Sequence, residues 1–157
     1  VIFGTGGGST AMAMECQYRM FRLGIRVSSF SDNVLMRMAS ASLGKNDVLI
    51  CLSLTGCNPE LQKAIEIAKD YGVTVVTIAP SDSSITEVAD YILPIQLNES
   101  DYIYKPSASR YVMMANIDVL STEVAIKNKR KSREKLRRIK KHLDEYRQSS
   151  QMLPIGD

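Results

Sequence analysis

The sequence contains no tryptophan, one histidine and three cysteines in 157 residues. Cys16, Cys51 and Cys57 fit neither a zinc-ligand spacing nor a C-x-x-C redox motif, so no metal site is expected. Cys16 and Cys51 read as small buried hydrophobes. Cys57 falls in a candidate anion loop at a helix start, where a thiolate would be stabilised. Free thiols fit a reducing cytoplasm, the expected location. No apolar run approaches the roughly 20 residues needed to cross a bilayer, and no charged-then-apolar leader opens the chain, so no membrane partner is expected. The chain starts at Val1, inside an apolar β-like segment and without Met, which suggests a fragment lacking its upstream part.

What is present is the material of one ordinary soluble domain: 157 residues, 45% hydrophobic and 24% charged, enough to bury a core without disulfides. The net charge of +3 hides an asymmetry. From Lys127 to Arg147 eleven Lys or Arg face three Asp or Glu, so this segment carries +8 and leaves −5 on the rest. The expected division is a body over 1–126, a basic amphipathic helix over 127–148 and a tail over 149–157.

Along the body, β-like runs alternate with helical ones. Val1–Phe3, Ile25–Ser29, Asp47–Leu52, Val73–Ile78 and Asp90–Ile95 read as strands. Thr10–Leu23, a stretch capped by Ser31 or Asp32 and ending near Leu43, Leu61–Tyr71 and Ala108–Lys127 read as helices, with a helical stretch possible at Ile85–Ala89. Val48–Leu52 is continuously apolar, as in a central strand covered on both faces. The alternation predicts an α/β fold, a three-layer α-β-α sandwich around a parallel sheet of about five strands, flavodoxin-like in kind.

Ligands of open α/β sheets bind beyond the carboxyl ends of the strands. Two loops lie there. Gly4-Thr5-Gly6-Gly7-Gly8-Ser9 lets a ligand approach the backbone and leads into a helix whose first N–H groups are free. A dinucleotide loop would want an acid ending the second strand, and Ser28-Ser29-Phe30-Ser31 stands there instead. Ser53-Leu54-Thr55-Gly56-Cys57-Asn58 supplies two hydroxyls, a flexible Gly56 and an amide before the helix start Asn58-Pro59-Glu60. Hydroxyls, free amides and a positive helix end suit a dianionic phosphate without a lysine. The bland alternative is that Ser, Thr and Asn only cap the helix, and composition alone does not separate the two.

The pairing of the G-T-G-G-x-S-x-A-M-A-like segment at Gly4–Ala13 with S-x-[ST]-G-x-x-P at Ser53–Pro59 resembles the SIS (sugar isomerase) domain, in the version found in RpiR-type bacterial regulators. Asp82–Thr86, Ala89–Tyr91, Tyr104–Tyr111, Ile117–Leu120, Leu136–Lys140 and Leu143–Arg147 extend the resemblance over nearly the whole chain. It implies a SIS fold that binds a phosphorylated sugar. Matched position by position, Ser53, Thr55 and Asn58 would hold the phosphate, Gly56 would shape the turn, and Ser9 would face phosphate or sugar, with Gly8 beside it. The sequence departs from the family in one extra glycine within Gly6-Gly7-Gly8 and in Asn58, where Ser or Thr is commoner. The resemblance also implies a homodimer or tetramer, and DNA contact through an N-terminal helix-turn-helix domain absent from this chain.

Isomerisation of a sugar phosphate needs a base beside the carbonyl. The sole histidine, His142, sits in the basic segment, and Glu15, Glu60, Glu66 and Glu123 fall at ordinary helix-surface positions. Glu99, after the last strand, is the best candidate for a sugar-contacting carboxylate, and Arg110 could reach phosphate or sugar. Binding groups are therefore visible and catalytic ones are not. The expectation is a non-catalytic sensor without cofactor, with a phosphosugar isomerase as the alternative. In the basic helix, Leu136, Ile139, Leu143 and Tyr146 form an apolar stripe that favours packing, while the surrounding cations leave direct DNA contact as a second use.

Overall fold

The computed structural model describes residues 1–96 and 108–150, with side chains as far as Arg147. Ten elements follow in order: β1 Ile2–Gly4, α1 Gly7–Arg22, β2 Ser29–Phe30, α2 Asn33–Ser42, β3 Val48–Leu52, α3 Pro59–Asp70, β4 Thr74–Ala79, β5 Tyr91–Pro94, α4 Ala108–Lys127 and α5 Lys129–Ser150. The strands form one sheet in the order β2-β1-β3-β4-β5, and every neighbouring pair is parallel. This is the doubly wound order of the flavodoxin-like class, with helices on both faces.

The apolar run in β3 shows why the sheet is covered twice. Leu49 and Cys51 point to one side and join Met36 of α2 and Leu61, Ala64, Ile65 and Ala68 of α3. Leu52 points to the other and meets Ala13, Cys16 and Met20 of α1 and Met113 and Ile117 of α4. Side chains alternate along a strand, so a run apolar at every position needs an apolar layer on each face. Each such residue, fully removed from water, contributes about 1.5–3 kcal/mol. Burial also lifts the Cys16 thiol to about 11, with Glu15 adding to the effect, and raises that of Cys51 still further. Both stay protonated, as small hydrophobes should.

Local signals set most helix ends. The Asp32 carboxylate accepts from Leu35 N at 2.9 Å and starts α2. Asn58 starts α3 in the same way, with Pro59 as its first helical residue. Three expectations are corrected. Gly7, Gly8 and Ser9 belong to the first turn of α1 rather than to a loop, because only Gly6 needs a positive φ. The second strand is Ser29–Phe30 rather than Ile25–Ser29, because β1 pairs only those two residues. Ile85–Ala89 lies in a run of hydrogen-bonded turns, not a helix.

α5 contacts α1 and α4. Ser132 is buried, Leu136 and Ile139 are half-buried, and Leu143 and Tyr146 are exposed. The apolar stripe therefore packs along its first half and is uncovered along its second.

Candidate functional site

From β1 the chain crosses to β2 on one side, then returns to β3 on the other, so β1 and β3 are neighbours at the switch point. Their carboxyl ends feed the two loops singled out by sequence. Together the loops enclose a concavity of ≈ 300 Å³, walled by Thr5 to Ser9 on one side and by Ser53, Leu54, Thr55 and Asn58 on the other. That volume is at the small end of small-molecule pockets.

The first wall is the start of α1. Gly6 precedes the helix with φ 80°, and no side chain caps it. Thr10 N donates to Gly6 O at 3.0 Å, the first bond of the helix. The amides of Gly7, Gly8 and Ser9 precede that bond and have no helical acceptor, and they carry the positive end of a 16-residue helix.

The second wall follows β3. Ser53 is buried and its Oγ accepts from Gly56 N at 2.9 Å. Ser9, also buried, accepts from Leu54 N at 3.2 Å and so ties one loop to the other. A hydroxyl that accepts an amide keeps its own proton to donate, and neither proton is used among the described residues. Thr55 is exposed at the rim. Asn58 works differently. Its Oδ1 accepts from Glu60 N at 3.0 Å and Leu61 N at 3.1 Å, while its Nδ2 donates to Thr5 Oγ1 at 2.6 Å. It caps α3 and ties the two loops together, which leaves one amide hydrogen for a ligand.

Gly56 does not line the concavity but shapes it. Its φ is +67°, and a Cβ there would lie 2.2 Å from Cβ of Ser83. The turn from Pro80 to Thr86 holds it from behind: Gly56 O accepts from Ser84 Oγ at 3.1 Å and Ile85 N at 3.3 Å, and buried Ser83 donates to Pro80 O at 2.8 Å. Thr5 and this turn stood in the quoted motifs, at Gly4–Ala13 and Asp82–Thr86, but neither was given a role at the site.

No Lys, Arg, His, Asp or Glu lines this concavity among the described residues. Arg110, at the start of α4, stands just outside it: a side chain at Gly8 would come within 3.4 Å of its Cδ. Glu99 lies outside the described residues. Cys57 is exposed in the second loop, and no metal-holding cluster occurs among the described residues.

A parallel sheet with helices on both faces and a corner of neutral donors at its switch point defines a three-layer α/β domain. The chain belongs to the SIS domain family, which matches residues 1–123. It is 31% identical over 137 residues to the HTH-type transcriptional regulator HexR of Pseudomonas aeruginosa, a match covering 87% of this chain and 48% of that protein. The chain spans about half the length of this relative and of its Escherichia coli counterpart. Among solved structures it resembles the Vibrio vulnificus NanR protein complexed with ManNAc-6P, with a TM-score of 0.79, 19% identity and coverage of 92% of this chain and 55% of that one. It also resembles the sugar isomerase domain of an RpiR transcription factor from Sphaerobacter thermophilus, with a TM-score of 0.75, 20% identity and coverage of 89% and 76%. At such identities these two likenesses speak for the fold.

Proposed function

We propose that the chain is the effector-sensing domain of an RpiR-type transcriptional regulator and that it binds a phosphorylated sugar by its phosphate. The observation that carries this is the pair of buried serines, Ser9 and Ser53, set beside the uncapped start of α1. A phosphomonoester carries close to two negative charges at pH 7 and offers three acceptor oxygens. The amides of Gly7, Gly8 and Ser9, with the hydroxyls of Ser9, Ser53 and Thr55, supply donors without a compensating cation. Gly56 keeps the loop's shape, Asn58 joins its two walls, and Arg110 reaches the sugar or an outer phosphate oxygen from above Gly8. The regulator relatives and the NanR complex with a phosphosugar support this assignment.

The chain acts as a sensor rather than a catalyst, a reading supported by relatives that are transcriptional regulators. A sensor works by preferring one state of the whole regulator over another. DNA is bound through a helix-turn-helix part, as the relatives' names imply; in this reading the regulator is a cytoplasmic homodimer or tetramer.

Calorimetry against a panel of pentose, hexose and amino-sugar phosphates tests the binding claim. Saturable heat with one or more, abolished by the Ser9→Ala/Ser53→Ala pair, is expected. No heat with any of them, or with inorganic phosphate, contradicts it. Turnover of the bound sugar, lost in Glu99→Gln, would make the chain an isomerase instead.

A further inference from the structure

α5 carries a second anion surface, of opposite construction. Between Lys127 and Arg147 eleven cations face three carboxylates. Those carboxylates are already engaged inside the helix: Glu134 with Arg138, Asp144 with Arg147, and Glu145 with Lys141 and His142. Lys129, Arg130, Lys131, Arg133, Arg137 and Lys140 are exposed and pair with no carboxylate among the described residues.

Their spacing sorts them. At 100° per residue, Arg130, Arg133, Arg137 and Lys140 fall on one strip, stepping by three and four. Ser132, Leu136, Ile139 and Leu143 fall about 110° further round the helix, on the side that meets α1 and α4. The cation strip flanks the packed face and is exposed along its length, and Lys129, Arg130, Arg133 and Arg137, with Glu134, border an open groove of ≈ 610 Å³. Ten residues of helix separate Arg130 from Lys140, about 15 Å. Phosphates of one duplex strand recur about every 3.4 Å along the axis, so the strip matches about four of them. A second copy of α5 is a poor partner for this strip, since both would be strongly positive. A lipid surface would want large apolar groups beside the cations, and Trp and Phe are absent from this helix.

We infer that the outer strip of α5, Arg130, Arg133, Arg137 and Lys140, contacts the phosphate backbone of double-stranded nucleic acid without reading its sequence. The contact is additional to any DNA-recognition part elsewhere in the protein and independent of sugar binding. It adds affinity, falls with salt and leaves specificity to other contacts.

The test is fluorescence anisotropy of the chain with a labelled 20-base-pair duplex of arbitrary sequence, repeated from about 50 to 200 mM salt. Neutralising about four phosphates predicts a roughly 100-fold loss of affinity over that range. The combined Arg130→Gln, Arg133→Gln, Arg137→Gln and Lys140→Gln variant should keep its helical circular dichroism and melting temperature, yet lose binding and salt slope together. The combination with Lys at the three arginines should retain both. Duplex binding that is absent at 50 mM salt, or undiminished in the Gln variant, overturns the inference. So does binding to phosphatidylserine vesicles without binding to duplex.

Discussion

The corner between β1 and β3 and the outer strip of α5 both suit anions, and they share almost nothing else. The corner is neutral, partly buried and built from groups held by the sheet: Ser53 follows directly on β3, and Gly56 is pinned from behind by the turn from Pro80 to Thr86. The strip is charged, exposed and carried on a helix of which Ser132 is the one buried residue among the described side chains. A small dianion needs fixed donors at the right distances, which demands rigidity. A long polyanion needs charge spread over length, which a half-packed helix supplies. Position in the fold decides which kind of anion each can hold.

That contrast breaks first at the core. Leu52, fully buried beneath both loops, should cost about 2–5 kcal/mol of stability as Leu52→Ala, measured by urea unfolding. Ligand binding should weaken with it while α5 keeps its affinity for polyanions wherever the chain is still folded. Ser53→Ala sharpens the contrast from the ligand side. Losing one hydrogen bond to a charged phosphate is worth about 1.5–3 kcal/mol, a drop of roughly 10- to 100-fold in phosphosugar affinity by calorimetry, with duplex binding unchanged.

Smaller effects follow from pH and from the exposed stripe. Lys69 and, secondarily, the amide of Val75 hold the Asp90 carboxyl below its ordinary value, Val75 N donating to Oδ2 at 2.8 Å. A carboxylate with a depressed folded value contributes stability that is present above about pH 4 and is lost as pH falls through the folded value. Asp90→Asn should therefore lower stability at pH 7 by on the order of 1 kcal/mol and flatten the acid limb of a melting-temperature profile. Leu143, 45% exposed, should tolerate Leu143→Ser within about 0.5 kcal/mol, whereas a loss above 2 kcal/mol would show that a partner covers the stripe.

The parts of this arrangement that were legible in the sequence are those decided locally. Asn58-Pro59-Glu60 announces the start of α3 because a cap and an N1 proline act within one turn. The continuous run in β3 announces a buried central strand because both of its faces are written in adjacent residues. The parts that were not legible depend on distant chain. The two-residue β2 is set by its register with Ile2 and Phe3, so the more apolar Ile25–Val27 stays outside it. Thr5 belongs to the corner through Asn58, 53 residues on. Ser83 matters because Gly56 folds against it, and neither position signals that contact alone. Ser53, Thr55 and Ser9 were visible as hydroxyls at strand ends. That Ser9 ties one loop to the other and that Asn58 reaches across to Thr5 are three-dimensional facts.

The claim at the centre is that a phosphate nests in the neutral corner, and a crystal structure of the chain grown with a saturating sugar phosphate tests it most directly. The expected result is phosphate oxygens within about 3 Å of Ser53 Oγ and of the amides at the start of α1. Clear density for that corner with the protein's own atoms filling it, or with the sugar phosphate bound elsewhere, would contradict the account.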